Sequence, residues 1–412
     1  MSSFDAERIE NIEFRKTLNC AIKAAFLRIY KCLIDLKGMK MDNTADVTFL
    51  RQYELSIEKT DRFSKDEFTP ILMGLYGEVG SIMATSKKYY REKKAYVGHQ
   101  AAVEEEFGDA FWYFSALCRR LGLKIETVFE IQCNTTNRSN GIPEKINSPA
   151  SKELDIALIA LGVSASQLLG GRGGIEFLRK EAPNFAQLYL AALKLTGLDL
   201  FRIIEGNLSK AIGRFATPQL GDLEDFDGLY PEDEQLPRYF EIQIFQKKSG
   251  LSYLRWNNVF IGDPLSDNIN KPDGYRFHDV FHMANAAVLH WSPTFRALIK
   301  HKRKSNPATD REQDGGRAIV VEEGLTAWLF SYAQELDNFD GHGGVSFDVL
   351  KTIQKFVQGY EVERCPLKLW EDAILQGYEV FRKLKENNGG IVVGDRTKRK
   401  IGYRPIGREN ER

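Results

Sequence analysis

Acidic side chains stand beside the apolar stripes of two consecutive predicted helices, and they are the residues best suited to chemistry. In the first helix, FTPILMGLYGEVGSIMATSKKYY, Glu78 flanks apolar residues that recur at helical spacing. In the second, AVEEEFGDAFWYFSALCRRLGL, Glu106 and Asp109 are three residues apart and share one face, with Glu105 one turn before Asp109. No lysine or arginine stands at a neutralising helical offset, so we expect a compensating cation. Carboxylates alone form an all-oxygen site, which suits Mg²⁺ or Mn²⁺.

These two segments resemble the MazG-like all-α nucleotide pyrophosphohydrolases. That family carries two glutamates three apart on one helix and Glu-x-x-Asp on the next, within segments such as GLxGEVGE and EELGDxLWYL. Here residues 74–81 read GLYGEVGS and residues 105–114 read EEFGDAFWYF. The resemblance implies a helical bundle in which Glu78, Glu106 and Asp109 hold the metal.

Ser81 departs from the family pattern, because it stands where the second glutamate of the first motif is expected. The change removes a charged ligand, although Glu105 or a water held by Ser81 could complete the coordination. A different interpretation makes the acids of the glutamate run, residues 104–106, part of a solvated helix face.

The function that the resemblance implies is Mg²⁺-dependent cleavage of an NTP or dNTP to the monophosphate and pyrophosphate. Such a metal orients the triphosphate and lowers the pKa of the attacking water, and Glu105 is the candidate for positioning that water. Candidate contacts to the nucleotide are Lys87, Lys88 and Asn134. One alternative is a regulatory protein that binds a nucleotide without turnover, because of the change at Ser81.

The composition favours a cytoplasmic protein of two or three domains without a membrane or strong nucleic-acid partner. The 412 residues include 57 Lys+Arg and 57 Asp+Glu. This balance argues against a nucleic-acid or membrane partner that is attracted by net charge. The five cysteines form no Cys-x-x-Cys pair, which is typical of reduced thiols. The apolar segment CAIKAAFLRIYKCLIDL is interrupted by basic residues, which predicts an amphipathic helix within residues 1–45.

Residues 148–218 read as a decayed second copy of the helical domain at residues 46–147. WYFSALCRRLGLKIETVFEIQCNTTNR and LYLAALKLTGLDLFRIIEGNLSKAIGR share aromatic and leucine positions, then Gly-Leu, then an amphipathic helix. The aligned second copy places uncharged residues at every ligand position: Ser164 opposite Glu78, Ala182 opposite Glu106 and Phe185 opposite Asp109. It also carries Asn207, Lys210 and Arg214 in the family's N-L-x-K style.

We therefore predict a pseudo-dimer within one chain, in which the first copy keeps the chemistry and the second supplies packing surface. Any two amphipathic helix pairs look alike to some degree, which is the simpler explanation of the match. Helix pairs of this family usually associate, so a homo-oligomer is also expected.

The fold class that follows is mainly α, with a mostly helical C-terminal domain and short β-hairpins. An acidic, turn-rich stretch opens a predicted linker and hairpin at residues 219–274, in which residues 239–246 alternate as a strand. The C-terminal domain at residues 275–412 ends in GGIVVGDRTKRKIGYRPIG, which reads as a second hairpin. This domain is similar to a module found beside MazG-like domains in some bacterial proteins.

The C-terminal domain has a second group of residues that could bind a divalent metal such as Zn²⁺ or Mn²⁺. His278 and His282 lie one turn apart in RFHDVFHMANAAVLHW, with Asp279 between them. Glu322 and Glu323 lie in the apolar helix GRAIVVEEGLTAWLF. The spacing satisfies neither the zincin nor the HD-type pattern. A buried hydrogen-bond network is the competing interpretation, and a C-terminal domain that is the main enzyme is a further one.

A basic loop separates these two helices and contains Lys300, Lys302, Arg303, Lys304 and Arg317. The sequence predicts a solvated loop, since acids are interspersed with the basic residues. The alternative is that the basic residues bind phosphate and face the His278 cluster.

Overall fold

A computed structural model describes residues 45–129, 151–171, 174–215, 218 and 223–406. They belong to two compact units, Met1–Ala216 and Thr217–Arg412. The predicted N-terminal helix within residues 1–45 and the candidate Asn134 lie outside the described residues.

The N-terminal unit is helical. Its helices are α1 Ala45–Glu58, α2 Thr69–Glu92, α3 His99–Arg120, α4 Ile125–Phe129, α5 Lys152–Gly170, α6 Gly174–Thr196 and α7 Leu200–Phe215. Apolar residues from all seven helices contribute to one continuous core.

Two helical hairpins, α2–α3 and α5–α6, pack together through α2 and α5. The helix that follows each hairpin crosses to the other hairpin: α4 packs on α6, and α7 packs on α3. This exchange is the arrangement expected of two related copies that cover each other's apolar faces. The exchange brings α7 to the acids of α2 and α3, and the pseudo-dimer stays a prediction from the sequence.

Helix α5 is long and apolar enough to cross a membrane, by length and composition only. Ser151 caps its first turn by accepting a hydrogen bond from the Leu154 amide, and Gly171 ends it in a left-handed conformation. Leu161, Ala165 and Leu168 are buried in the core of the unit. Such burial is typical of a core helix in a globular domain, which passes the same test of length and composition.

The C-terminal unit combines helices with a five-stranded antiparallel sheet of order β3-β2-β1-β4-β5. The strands are β1 Tyr239–Gln246, β2 Ser252–Trp256, β3 Val259–Leu265, β4 Gly389–Asp395 and β5 Lys400–Arg404. The helices are α8 Asp279–Ala284, α9 Pro293–Ile299, α10 Pro307–Glu312, α11 Gly316–Gln334, α12 Phe347–Phe356 and α13 Leu367–Asn387. The predicted fold class, mainly α with short hairpins, is confirmed.

The two predicted hairpins are not separate, because β1 pairs with β4 along its length, from Tyr239 opposite Asp395 to Phe245 opposite Gly389. The boundary that the sequence placed between residues 219–274 and 275–412 is therefore wrong. Ile242 and Ile244 of β1 belong to the same core as the helices. The supposed linker carries the central strand of this unit.

Arg303 of the predicted solvated loop is fully buried, which corrects that prediction for this residue. Its guanidinium donates to Asp314 at 2.7 Å and to Glu361 at 2.6 Å. Nearby, the buried Asp227 accepts from Arg296 and from the Leu236 amide. Buried charges require such partners, so these ion pairs fix the segment before β1 against the helices. Lys300, Lys304 and Arg317 are exposed, as predicted.

Candidate active site

The acidic cluster, defined as Glu78, Glu106 and Asp109, forms where α2 packs on α3. One carboxylate oxygen from each residue lies within 4.8 Å of the other two. All three side chains are half-buried. Helical spacing turns the acids toward the neighbouring helix, and packing of the apolar stripes then brings the two sets together.

Lys210 of α7 enters this cluster from the second copy. Its ammonium donates to Asp109 Oδ2 at 2.5 Å and to Glu105 Oε1 at 2.8 Å. Although burial disfavours the charged amine, Asp109 and Glu105 together raise the pKa of Lys210. Lys210 is therefore charged at neutral pH. It supplies part of the positive charge that the sequence predicted beside the acids.

Asn207, one turn before Lys210, fixes the other oxygen of Asp109. Its amide nitrogen donates to Asp109 Oδ1 at 3.0 Å, and its amide oxygen accepts from the Tyr53 hydroxyl at 2.8 Å. Tyr53 and Asn207 are both buried. Buried polar groups linked in this way hold one orientation, so Asp109 is positioned by three elements, α1, α3 and α7.

Gly108 permits the close approach of α7 to α3. A Cβ at this position would lie 3.1 Å from Asn207 Cβ and 3.5 Å from the Ile203 carbonyl oxygen. A similar approach occurs at Gly74 of α2, where a Cβ would lie 2.1 Å from the Tyr113 ring. The glycines of the two motifs thus set distances between helices around the acidic cluster.

The cluster carries more negative charge than Lys210 balances. Burial, followed by the charges of Asp109 and Glu106, raises the pKa of Glu78 to about 7. A bound cation would stabilise the ionised form of a carboxyl group that otherwise holds its proton near neutral pH. Every donor atom in the cluster is an oxygen. The donor set therefore fits Mg²⁺ or Mn²⁺.

The other predicted site residues of the first copy lie at differing distances from the cluster. Glu105 shares Lys210 with Asp109, and Ser81 follows Glu78 by one turn. Lys87 is exposed and lies half a turn around α2 from Glu78, about 13 Å further along the axis. Lys88 contacts Glu92 at 3.9 Å and the Tyr96 ring at 4.2 Å. The structure does not bring the two lysines to the acidic cluster.

Sequence reasoning missed Lys210, Asn207 and Tyr53 as site residues. The sequence contains the N-L-x-K segment of the predicted second copy, but it does not indicate the helix against which this segment packs. The separation of about a hundred residues between Lys210 and Asp109 in the chain explains the omission.

The C-terminal residues predicted to bind metal also converge. The histidine cluster is defined as His278, Asp279, His282 and Glu323. One ligand atom each from the first three lies within 4.8 Å of the others. Glu323 on α11 completes the group, with Oε1 3.3 Å from His282 Nε2 and Oε2 3.7 Å from His278 Nε2.

Glu322 faces the other side of His282 and is fully buried. It accepts hydrogen bonds from the Asn285 amide at 3.0 Å, the Ser292 hydroxyl at 2.8 Å and the Thr294 backbone amide at 2.9 Å. A π-helical turn at Asn285–Leu289 directs Asn285 toward it. This part of the predicted group is a buried polar network, and its donors were not identified from the sequence.

The charges of the histidine cluster are strongly coupled. Burial lowers the pKa of His282, but Glu322 and Glu323 outweigh that effect and raise it well above the ordinary value. Burial also acts on Glu323, whose pKa is nevertheless held low by His278 and His282. For Asp279, burial is the main cause of a raised pKa.

The family model described as the MazG C-terminal domain matches residues 221–407. The match covers the five-stranded sheet and the histidine cluster, and it lies within the C-terminal unit. Comparisons with curated proteins and with solved structures gave no match. The C-terminal unit is therefore similar to a MazG-associated module, as its sequence indicated.

Proposed function

We propose that the N-terminal unit is a Mg²⁺-dependent nucleotide pyrophosphohydrolase that converts an NTP or dNTP to the monophosphate and pyrophosphate. The observation that carries the proposal is the acidic cluster with Lys210 and Asn207 against it. The similarity of the C-terminal unit to a MazG-associated domain agrees with a MazG-related chain. A cytoplasmic location and homo-oligomerisation remain predictions from the sequence.

In this proposal Glu78, Glu106 and Asp109 hold the metal, which supplies charge neutralisation at the phosphates and a more acidic water. Asn207 and Lys210 keep the Asp109 carboxylate in one orientation. Glu105 is partly solvent-accessible and would position the attacking water as its base. The Lys210 ammonium, already directed at the carboxylates, also offers a positive charge for a phosphate oxygen.

The test is pyrophosphate release from a panel of NTPs and dNTPs with and without Mg²⁺. Glu106→Gln and Asp109→Asn should reduce turnover at least 100-fold at limiting Mg²⁺, because each removes a ligand charge while keeping side-chain size. Glu104→Gln is the matched control, since Glu104 belongs to the same glutamate run but contacts Gln100 and Arg202. Wild-type turnover in both cluster variants would refute the proposal.

A nucleotide-sensing protein without turnover is the second candidate, and the serine at position 81 favours it. Calorimetry separates the two functions: nucleotide binding that needs Mg²⁺ and the acidic cluster, with no pyrophosphate released, would identify a sensor.

A further inference from the structure

Beyond the acidic cluster, the C-terminal unit has an independent site with nitrogen donors. The Nε2 atom of His282 is fully buried and has no aligned hydrogen bond among the described residues. Asp279 is also buried, and its Oδ1 lies 4.0 Å from His278 Nε2. Buried polar atoms are normally satisfied, so His282 Nε2 points to a ligand beside it, with the Asp279 carboxylate and His278 Nε2 in the same cluster.

His278 is held in the tautomer that a metal ligand needs. Its Nδ1 lies 2.9 Å from the Tyr275 carbonyl oxygen. A carbonyl can only accept, so Nδ1 carries the hydrogen and the lone pair of the neutral ring is on Nε2. The Tyr275 ring stacks on the imidazole at 4.2 Å and fixes its plane.

The imidazole of His282 faces Glu322 through Nδ1, at ion-pair distance and without an aligned hydrogen bond. Its Nδ1 lies 3.1 Å from Glu322 Oε1, which leaves Nε2 directed at Glu323. A carboxylate behind a histidine is the usual outer contact of a metal-binding imidazole, because it orients the ring and increases its basicity. The donors from Asn285, Ser292 and Thr294 keep this carboxylate in place.

The spacing of His278, Asp279 and His282 fits a single ion, and the Glu323 carboxylate lies near the two histidines. Bonds of about 2.0 to 2.2 Å to one ion place two ligand atoms about 3 to 4.4 Å apart. The separations of 3.3 Å and 3.7 Å from Glu323 to the two histidines fall within this range. The Glu323 side chain is 39% exposed, which gives an ion and its exchangeable ligands a route from solvent.

We propose that His278, His282, Asp279 and Glu323 bind one first-row transition-metal ion of the Zn²⁺, Mn²⁺ or Fe²⁺ type. Two imidazoles with two carboxylates suit these ions better than Mg²⁺ or Ca²⁺, which prefer oxygen ligands. This site is separate from the acidic cluster and does not depend on the pyrophosphohydrolase proposal.

The experiment is elemental analysis of the purified full-length chain, followed by Zn²⁺ and Co²⁺ titration of the chelator-treated protein. A background of Glu106→Gln with Asp109→Asn removes binding at the acidic cluster. We expect one ion per chain, visible Co²⁺ absorption typical of nitrogen ligation, and a melting temperature that rises with metal.

Three variants define the site. Glu323→Ala should weaken binding at least tenfold and keep the fold, because the side chain is partly exposed. Glu322→Gln should weaken binding by about 10- to 100-fold through the orientation of His282. His342→Gln changes an exposed histidine and should leave binding unchanged. Wild-type protein that binds neither ion and melts at the same temperature with and without metal would overturn the proposal. The histidine cluster would then be a buried ionic network without a metal.

Discussion

Lys210 Nζ lies 2.5 Å from Asp109 Oδ2, although the two residues are 101 positions apart and belong to different helices, α7 and α3. The predicted second copy has no acids at the positions aligned with the acidic cluster, where Ser164, Ala182 and Phe185 are buried. The last helix, α7, instead places Lys210 and Asn207 in contact with Asp109. If the repeat prediction is right, the second copy contributes Lys210 and Asn207 to the site although it has no acids of its own there.

Replacing Lys210 by methionine tests this relationship. The variant leaves the carboxylates of Glu105 and Asp109 without their amine, so we expect the metal-free protein to lose about 1–3 kcal/mol of unfolding free energy. Added Mg²⁺ should recover more stability in the variant than in the wild type, because the ion supplies the missing positive charge. Thermal melts with and without Mg²⁺ measure both effects.

The control is Lys194→Met, which removes an exposed lysine from α6 of the same unit. Its stability should change by less than about 0.5 kcal/mol and should respond to Mg²⁺ as the wild type does. Equal Mg²⁺ responses in Lys210→Met and wild type would show that the amine and the ion do not act on the same charges.

Gly108→Ala should separate α7 from the acidic cluster. The new methyl would stand 3.1 Å from Asn207 Cβ, and a helix backbone cannot yield as a side-chain tip does. We expect a loss of about 1–3 kcal/mol and lower pyrophosphate release, because the Asn207 and Lys210 contacts to Asp109 lengthen.

Gly206→Ala is the matched control on α7 itself, where no atom lies within 4 Å of the added Cβ. An exposed alanine in a helix interior should stabilise the protein by about 0.5–1 kcal/mol. Calorimetric melts and pyrophosphate assays of the two variants give the comparison. A stabilised, fully active Gly108→Ala protein would show that α3 and α7 can accommodate the added methyl group and would contradict the prediction.

Local patterns in the sequence predicted most of the elements and the acidic cluster. Glu78, Glu106 and Asp109 follow from helical spacing beside apolar stripes, and β1 follows from alternation within residues 239–246. These signals lie within one element or two adjacent ones, where geometry is set by the backbone.

Relationships between distant segments were not predictable in the same way. The pairing of β1 with β4 joins residues about 150 positions apart, and no turn sets its register. The burial of Arg303 depends on how its own loop folds to bring Asp314 to it, and on Glu361 from a distant segment. The partners of Lys210 depended likewise on how the two hairpins exchange their following helices.

Ser81→Glu should restore a charged ligand that the related motif has. Position 81 follows Glu78 by one turn on the same face of α2, so the new carboxylate can reach the ion held by the acidic cluster. An additional charged ligand should tighten Mg²⁺ binding on the order of tenfold, or about 1.4 kcal/mol. Isothermal calorimetry measures the affinity. Ala84→Glu adds the same charge at an exposed position of α2 and should change it little.

Glu54 of α1 makes the stability of the metal-free protein depend on pH. Burial and then the charge of Glu126 raise the pKa of Glu54 to about 7, and its Oε1 is buried without a hydrogen bond. The folded state therefore holds a proton that the unfolded state releases near pH 4.5. The resulting stability is fully present below about pH 4.5 and is lost as the pH rises through about 7.

Glu54→Gln should remove this dependence, because an amide resembles the protonated carboxyl and does not ionise. We expect the variant to be more stable than the wild type above pH 7 and to lose that advantage at low pH, as measured by chemical denaturation across the range. Glu205→Gln, an exposed change on α7, should follow the wild-type profile. Parallel curves for Glu54→Gln and wild type would mean that Glu54 is ionised in the folded protein, with its charge balanced by Arg119.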